Sequence, residues 1–398
     1  MPGPLDGYRI IDLTSMISGP LATMILADQG ADVIKVENPD GGDHTRAANN
    51  RRAGFSASFL NNNRNKRSVA LDLKHPAAKQ ALLRLAATAD VFVQNFRPGV
   101  ADRMGLGEAA VRAVAPRIVY VSISGFGETG PYAQKPVYDP LIQSVSGLAS
   151  IQAGSDTERP RLVRTIVPDK LTAVSAAQAI TAALLARERP GEGHGQGQHV
   201  RLSMLDAVVA FLWASDMGSQ TFVGEEIPQQ EAASFIDLIY ETATTAISAA
   251  VQTNREWLAL TRALDKPEWL QDPRFSTPAL RQRHINERLS LIQDVLRTRP
   301  AEEWLDRLTE AGVPCAPVLT RTAMLSDPQV VANGIVVEAE HPQAGLLRQA
   351  RPAARFSATP AGIRQGGPAL GEHTASVLAE IGYSASDIQA LTLREDAA

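Results

Sequence analysis

The sequence predicts an α/β protein, with a large domain built on a parallel sheet and a second, smaller α+β domain after it. Three observations carry this. Short apolar runs alternate with helical patterns from Arg9 to Ser124. Runs such as DVFVQN and RIVYVSIS are apolar at nearly successive positions, as in strands covered on both faces, rather than apolar and polar in alternation. Beyond residue 238 the pattern changes to a strand pair and amphipathic helices.

In order along the chain, RIIDLT and DVIKVE flank SGPLATMILADQG and read as strand, helix, strand. Ser18 is expected to cap that helix, Pro20 suits its first turn, and Gly30 suits a left-handed exit. A helix from about Pro76 to Ala89, the strand DVFVQN, a helix near Glu108 to Ala115 and the strand RIVYVSIS repeat the plan, which implies right-handed crossovers. Apolar positions at Leu171, Val174, Ala177, Ile180, Leu184 and Leu185 predict a long buried helix over Lys170 to Arg187, ending at Pro190. GEGHGQGQ is then a turn into the strand HVRLSM and the helix DAVVAFLWASDM. Residues 1–217 are thus the first part of the large domain, 218–237 a linker and 238–325 the small domain. The small domain holds a strand pair around IYETATTAISAAV and the helices NREWLALTRAL and AEEWLDRLTEAG. Residues 326–398 return to the large domain through VVEAEHP and TASVLAEIGY.

At 398 residues the length fits two or three units of about 150 residues, or one large body with an appendage. With 44% hydrophobic and 21% charged residues the chain builds a sizeable core, which excludes disordered, collagenous and disulfide-stapled classes. A net charge of −4 gives the molecule as a whole no attraction to nucleic acid or anionic membrane, so an anionic ligand must be held by a local basic patch. The single cysteine, Cys315, sits in the apolar run VPCAPV and fits a reducing compartment, with the cytoplasm as the expected location. The start MPGPLDGYRI lacks a signal-peptide pattern, and AVSAAQAITAALLA is too short and polar to span a bilayer.

The turn TSMISGP after the first strand lacks GxGxxG, and no GxxxxGK[ST] occurs, so neither nicotinamide cofactors nor nucleoside triphosphates are supported. The seven histidines are dispersed, which predicts no metal site, and there is no GxSxG elbow. From Arg46 to Lys74, seven basic residues (Arg46, Arg51, Arg52, Arg64, Lys66, Arg67 and Lys74) stand against one acid, Asp72. Charge alone leaves two readings, a phosphate-binding field with Phe55 or Phe59 beside a base, or a solvated basic face. QNFRPG places Arg97 at the end of a parallel strand, where ligands of open α/β sheets bind, with Arg103 pointing near the same place. Asp169, directly before the long helix, reads either as its N-cap or as a carboxylate nucleophile kept ionised by the positive helix end.

Taken together, PLDGYRIIDLTSMISGPLATMILADQGADVIKVENPDGGDHTR, NRNKRSVALDLK, ADVFVQNFRPGVADRMGLG, IVYVSISGFGETGPYA, VYDPLIQSVSGL and AALLARERPGEGHGQGQHVRLSMLDAV resemble the family III CoA-transferases, the formyl-CoA transferase-like or CaiB/BaiF family. WLALTRALDKPEWLQDPRF, AGVPCAPV and LGEHTASVLAEIGY extend the resemblance more loosely. It implies a Rossmann-like large domain completed by the C-terminal segment, an interlocked homodimer, acyl-CoA and a small carboxylic acid as substrates, and no tightly bound cofactor or metal. It also implies Asp169 as nucleophile, forming mixed-anhydride and aspartyl-CoA intermediates. Carried over position by position, the CoA contacts are Met16, Ile17, Ser18, Asn38, Leu71, Lys74, Asn95, Phe96, Arg97, Arg103, Pro136, Val137 and Tyr138, with Lys74, Arg97 and Arg103 on the phosphates. Ile17 stands where formyl-CoA transferase has a glutamine, and Phe235 to Thr245 hold no counterpart of its glycine-rich loop, which points away from an oxalate and formyl-CoA pair. The family also contains α-methylacyl-CoA racemases, whose histidine is replaced here by Tyr138. A tyrosine of ordinary pKa, about 10, is a poor base at neutral pH, so this reading ranks second. A third is an inactive acyl-CoA-binding homologue.

Overall fold

The structure is a computed structural model, and it describes residues 2–189, 191, 195–224 and 238–392. Contacts divide the chain into two compact units, one of Met1–Gln152, Arg159–Thr221 and Gly334–Ala398, the other of Ala153–Glu158 and Phe222–Asn333. Among the described residues there are sixteen α-helices, none long and apolar enough to cross a membrane.

The first unit is built on six parallel strands: β1 (Arg9–Asp12), β2 (Asp32–Glu37), β3 (Lys66–Ala70), β4 (Val91–Gln94), β5 (Val119–Ser124) and β6 (His199–Ser203). Their order is β3-β2-β1-β4-β5-β6. The chain reverses its direction of travel between β1 and β4, and in such sheets the crevice outside the carboxyl ends of those strands is the ligand position. Alternate residues serve opposite faces. Ile10, Val33, Val91 and Val119 pack with α1 (Ser18–Asp28) and the long helix, whereas Ile11, Ile34, Phe92 and Tyr120 pack with α2 (Pro76–Ala86) and, through Val377 and Leu378, with the late helix Thr374–Glu380. Both faces are apolar because both are covered by helices.

Strand β3 is an element of the sheet that the sequence reading missed. Its first two residues are Lys66 and Arg67, and a charged start hides a strand from an apolar-run criterion. The long helix runs Val167–Glu188, three residues earlier than expected at its start; Pro190 and residues 192–194 of the following turn lie outside the described residues. Its buried stripe is Ala173, Ala176, Ala177, Ile180, Ala183 and Leu184, while Val174 and Leu185 are exposed by more than half. Small residues win the buried face because they let this helix approach both the sheet and Ala22, Leu26 and Ala27 of α1.

The second unit contains the strands Ile239–Glu241, Ala246–Ala249 and Cys315–Pro317 in one antiparallel sheet, and the helices Asn254–Ala263, Ile285–Leu296 and Ala301–Glu310. Its core centres on Trp257, Trp269, Phe275 and Trp304. The helix Pro328–Ala332, capped by Asp327 through the N–H groups of Gln329 and Val330, falls within this unit, which therefore extends past residue 325. Of the expected linker, residues 225–237 lie outside the described residues.

Candidate active site

The β1–α1 turn is clamped from below by buried charge. Asp12, at the end of β1, accepts from the Thr14 amide (2.9 Å) and from the hydroxyls of Thr14 (2.5 Å) and Thr23 (2.7 Å), and pairs with Lys66 Nζ at 2.9 Å. Lys66 spends its other protons on Pro20 O and Asn63 Oδ1, both at 2.8 Å. Lys35 donates to Thr14 O (2.8 Å) and pairs with Asp43 (2.9 Å), which in turn accepts from the Met16 amide (3.2 Å). Burial opposes ionisation of Asp12, but Lys66 and Lys35 outweigh it and hold the carboxyl well below its ordinary range. Burial dominates at Lys66 and brings it down to about 8 despite the pull of Asp12.

This network corrects the reading of Arg46–Lys74 as one basic field. Arg46 pairs with Glu37 (2.7 Å), Arg64 with Asp28 (2.7 Å), Lys66 with Asp12, and Arg67 with Asp32 (2.6 Å) and Glu380 (2.5 Å). Those acids come from other parts of the chain, so a local count of charge cannot see them. Phe59 is buried beneath the Arg46 guanidinium, 3.6 Å from its ring, and belongs to the packing rather than to an open basic surface.

The clamped turn presents Met16 in the left-handed region (φ 72°) and starts α1 at Ser18. Gly19 is required here, since a Cβ would lie 2.3 Å from Thr14 Cβ. Asn95, just after β4, accepts from the Ser15 amide (3.0 Å) and donates to Ser15 O (2.8 Å), tying together the two turns at the point where the sheet order reverses.

Ser18 does not cap α1. Position Ile17 is the N-cap, without a side-chain bond, and the Ser18 hydroxyl donates instead to Asp169 Oδ1 at 2.5 Å. Asp169 is likewise not a cap. It lies in the first turn of the long helix, behind the N-cap Ile166 and Pro168, so its carboxylate is free to face outward while the positive helix end still favours its charge. Its amide donates to Asp139 Oδ2 at 3.2 Å, and Asp139 Oδ1 accepts from Gln143 Nε2 at 2.6 Å. Burial pushes the Asp169 carboxyl upward, the Ser18 hydrogen bond pulls it back, and the Asp139 charge pushes it up again; the balance is a raised pKa. Asp169 has no ion pair among the described residues.

Two cavities open at these turns. One of about 240 Å³ is lined by Met16, Ser18, Asn95, Arg97, Pro136, Val137, Tyr138 and Asp169, together with Asp139, Gly125 and Met204. The other, about 680 Å³, is lined by Asn38, Leu71, Lys74, Phe96 and Arg103, with Ser15, His44 and Lys79. Consecutive residues, Ser15 with Met16 and Phe96 with Arg97, open onto one and then the other. Every position carried over from the resemblance lines one of the two except Ile17, which lines neither. Lys74, Arg97 and Arg103 are exposed and have no ion pair among the described residues, unlike Arg46, Arg64, Lys66 and Arg67. His44 and Lys79 were not anticipated. Lys79 is in the first turn of the helix after β3, a position that reading β3 as a strand would have exposed. Among the described residues no cluster of three His, Cys, Asp or Glu side chains could hold a metal ion.

A Rossmann-like α/β sheet, cation-rimmed cavities at its switch point and a cation-free carboxylate between two helix starts define the class of protein. The comparisons make it specific. The model of CoA-transferase family III matches residues 5–374, and the chain belongs to that family. It is 33% identical to human succinyl-CoA:glutarate CoA-transferase over 385 residues, covering 95% of this chain and 86% of that protein. To formyl-CoA:oxalate CoA-transferase of Escherichia coli O6:H1 it is 34% identical over 416 residues, covering 98% and 99%. A CaiB/BaiF family protein from Brucella suis shares the fold with a TM-score of 0.81 at 29% identity, covering 96% of this chain and all of that one (100%). A hypothetical protein from Mycobacterium tuberculosis gives 0.81 and 29%, covering 94% and 99%.

Proposed function

We propose that this protein transfers coenzyme A from an acyl-CoA thioester to a carboxylic acid, with Asp169 as the nucleophile. The observation that carries this is the Asp169 carboxylate, oriented by Ser18, unpaired with any cation among the described residues and lining a cavity beside Arg97. Lys74, Arg103 and Arg97 are the phosphate contacts in this reading, and Met16, Ile17, Ser18, Asn38, Leu71, Asn95, Phe96, Pro136, Val137 and Tyr138 complete the coenzyme site.

The reaction needs no net proton transfer. An Asp169 oxygen attacks the thioester carbonyl, expels CoA thiolate and forms a mixed anhydride. The thiolate attacks the aspartyl carbonyl, releasing the donor acid and leaving an aspartyl-CoA thioester. The acceptor carboxylate attacks that thioester to give a second anhydride, and the thiolate then takes the acceptor acyl group, restoring the Asp169 carboxylate. Each step conserves acyl activation as long as water is excluded.

Exposed apolar side chains on the first unit, Val174, Leu185, Phe211 and Trp213, support a homodimer, which we propose to be interlocked and cytoplasmic. The racemase reading is disfavoured by Tyr138, exposed by 69% at the position of the required histidine. The test is to quench the enzyme with hydroxylamine or borohydride during turnover of an acyl-CoA and map the modified peptide. Modification at Asp169 is expected. An unmodified Asp169 with ongoing exchange, or solvent deuterium entering the α-carbon of a 2-methylacyl-CoA, overturns the proposal.

A further inference from the structure

The second unit holds a cavity of about 440 Å³, within the range of about 300–1,000 Å³ usual for small-molecule sites. Leu238, Val251, Ile285 and Ile292 give it an aliphatic wall beside its polar groups, and among the described residues no acid lines it. Two arginines do. Arg281 is 4% exposed and Arg288 8% exposed, and neither forms an ion pair among the described residues. Among the described residues Arg281 donates only to neutral acceptors, Phe275 O at 2.9 Å and Asn254 Oδ1 at 2.5 Å. Among the described residues Arg288 has no side-chain hydrogen bond, and its buried Nε is without a partner. Tyr240, 1% exposed, adds a phenol to the same cavity.

Buried guanidinium groups are ordinarily paired, because an unpaired one loses hydration and recovers nothing. Every buried cation at the β1–α1 turn obeys that rule; Arg288 does not. The geometry points to a binding site for a small aliphatic carboxylate in this cavity, its carboxylate held by Arg288 and Arg281 and its hydrocarbon part against the aliphatic wall. A guanidinium fork matches a carboxylate, and the apolar walls select an organic acid over an inorganic anion. The site lies entirely on second-unit residues and is independent of the chemistry proposed at Asp169.

The test uses full-length protein, hexanoate as probe and inorganic phosphate as control, read by thermal melting and hydrogen-exchange mass spectrometry. Hexanoate is expected to raise the Tm and to protect peptides spanning 238–251 and 278–292. Asp169→Ala retains that protection and Arg288→Met loses it. Without ligand, Arg288→Met is expected to raise the Tm by about 2–4 °C, since an unpaired buried charge is replaced by an apolar chain of similar length. A fall in the ligand-free Tm makes Arg288 a structural residue and overturns the proposal. So does absence of protection at about 10 mM hexanoate, where a millimolar site is nearly filled. Equal protection by phosphate overturns the assignment to an organic acid, and loss of protection in Asp169→Ala places the binding at the other site.

Discussion

Asp12, fully buried, and Asp169, half-buried at a cavity, belong to the same unit and are treated oppositely. Asp12 sits on two lysines and three hydroxyl or amide donors, and its carboxyl is held far below the ordinary range. Asp169 has one hydroxyl donor and an acidic neighbour, and its carboxyl is raised. The first charge is fully compensated and stiffens a turn. The second is under-compensated, as the proposed nucleophile requires. The two are coupled mechanically, since the turn that Asp12 and Lys66 clamp carries the Ser18 that orients Asp169.

Removing the under-compensated carboxylate has the largest expected effect. Asp169→Ala should lower the rate of CoA exchange by about 10³-fold or more, with the folded state intact. Because the native pKa of Asp169 is raised, its ionised form costs stability above that pKa. The variant should therefore melt at or above the wild-type temperature at pH 7 and lose that advantage as the pH falls, which thermal melts across pH will check.

Breaking the compensated pair should act on stability instead. Lys66→Met strands Asp12 with a single lysine nearby and is expected to cost about 3–5 kcal/mol in urea unfolding. A cost below about 1 kcal/mol would mean that the buried pair does not hold the turn. Arg97→Gln and Arg103→Gln each remove an exposed cation at a cavity rim and should raise KM for acyl-CoA by about 10-fold with kcat nearly unchanged.

Smaller effects probe the balance at Asp169 itself, and they have opposite signs. Ser18→Ala deletes the hydrogen bond that favours the ionised carboxylate, so the acidic limb of the kcat/KM profile should move to higher pH while kcat falls about 10-fold. Asp139→Asn removes the charge that pushes Asp169 upward, so the same limb should move to lower pH. Shifts in the same direction for both variants would show that the limb does not report Asp169.

The parallel sheet was readable for a local reason. β1, β2, β4 and β5 are apolar enough to reveal themselves, whereas β3 begins with Lys66 and Arg67, whose charges are neutralised by residues far away in sequence. The same non-locality misled the reading of the basic stretch. Asp169 stood out as a residue beside a helix start, but Ser18 as its hydrogen-bond donor is a contact across 151 positions that no periodicity encodes.

By itself, the sequence determined the α/β class, the succession of most strands and helices of the first unit and, through its resemblance to a family, many of the residues that come to line the two cavities. The elements follow from apolar patterning, which is local, and the lining residues from the motifs that carry the resemblance. The tertiary structure decided which cations remain available. Arg46, Arg64, Lys66 and Arg67 are consumed inside the fold, while Lys74, Arg97 and Arg103 stay at the cavity rims. It also decided that Ser18 serves Asp169 rather than its own helix. The physical reason is the same in both cases. The energy of a charge or a polar group depends on what lies within a few ångströms of it, and only the folded chain sets those neighbours.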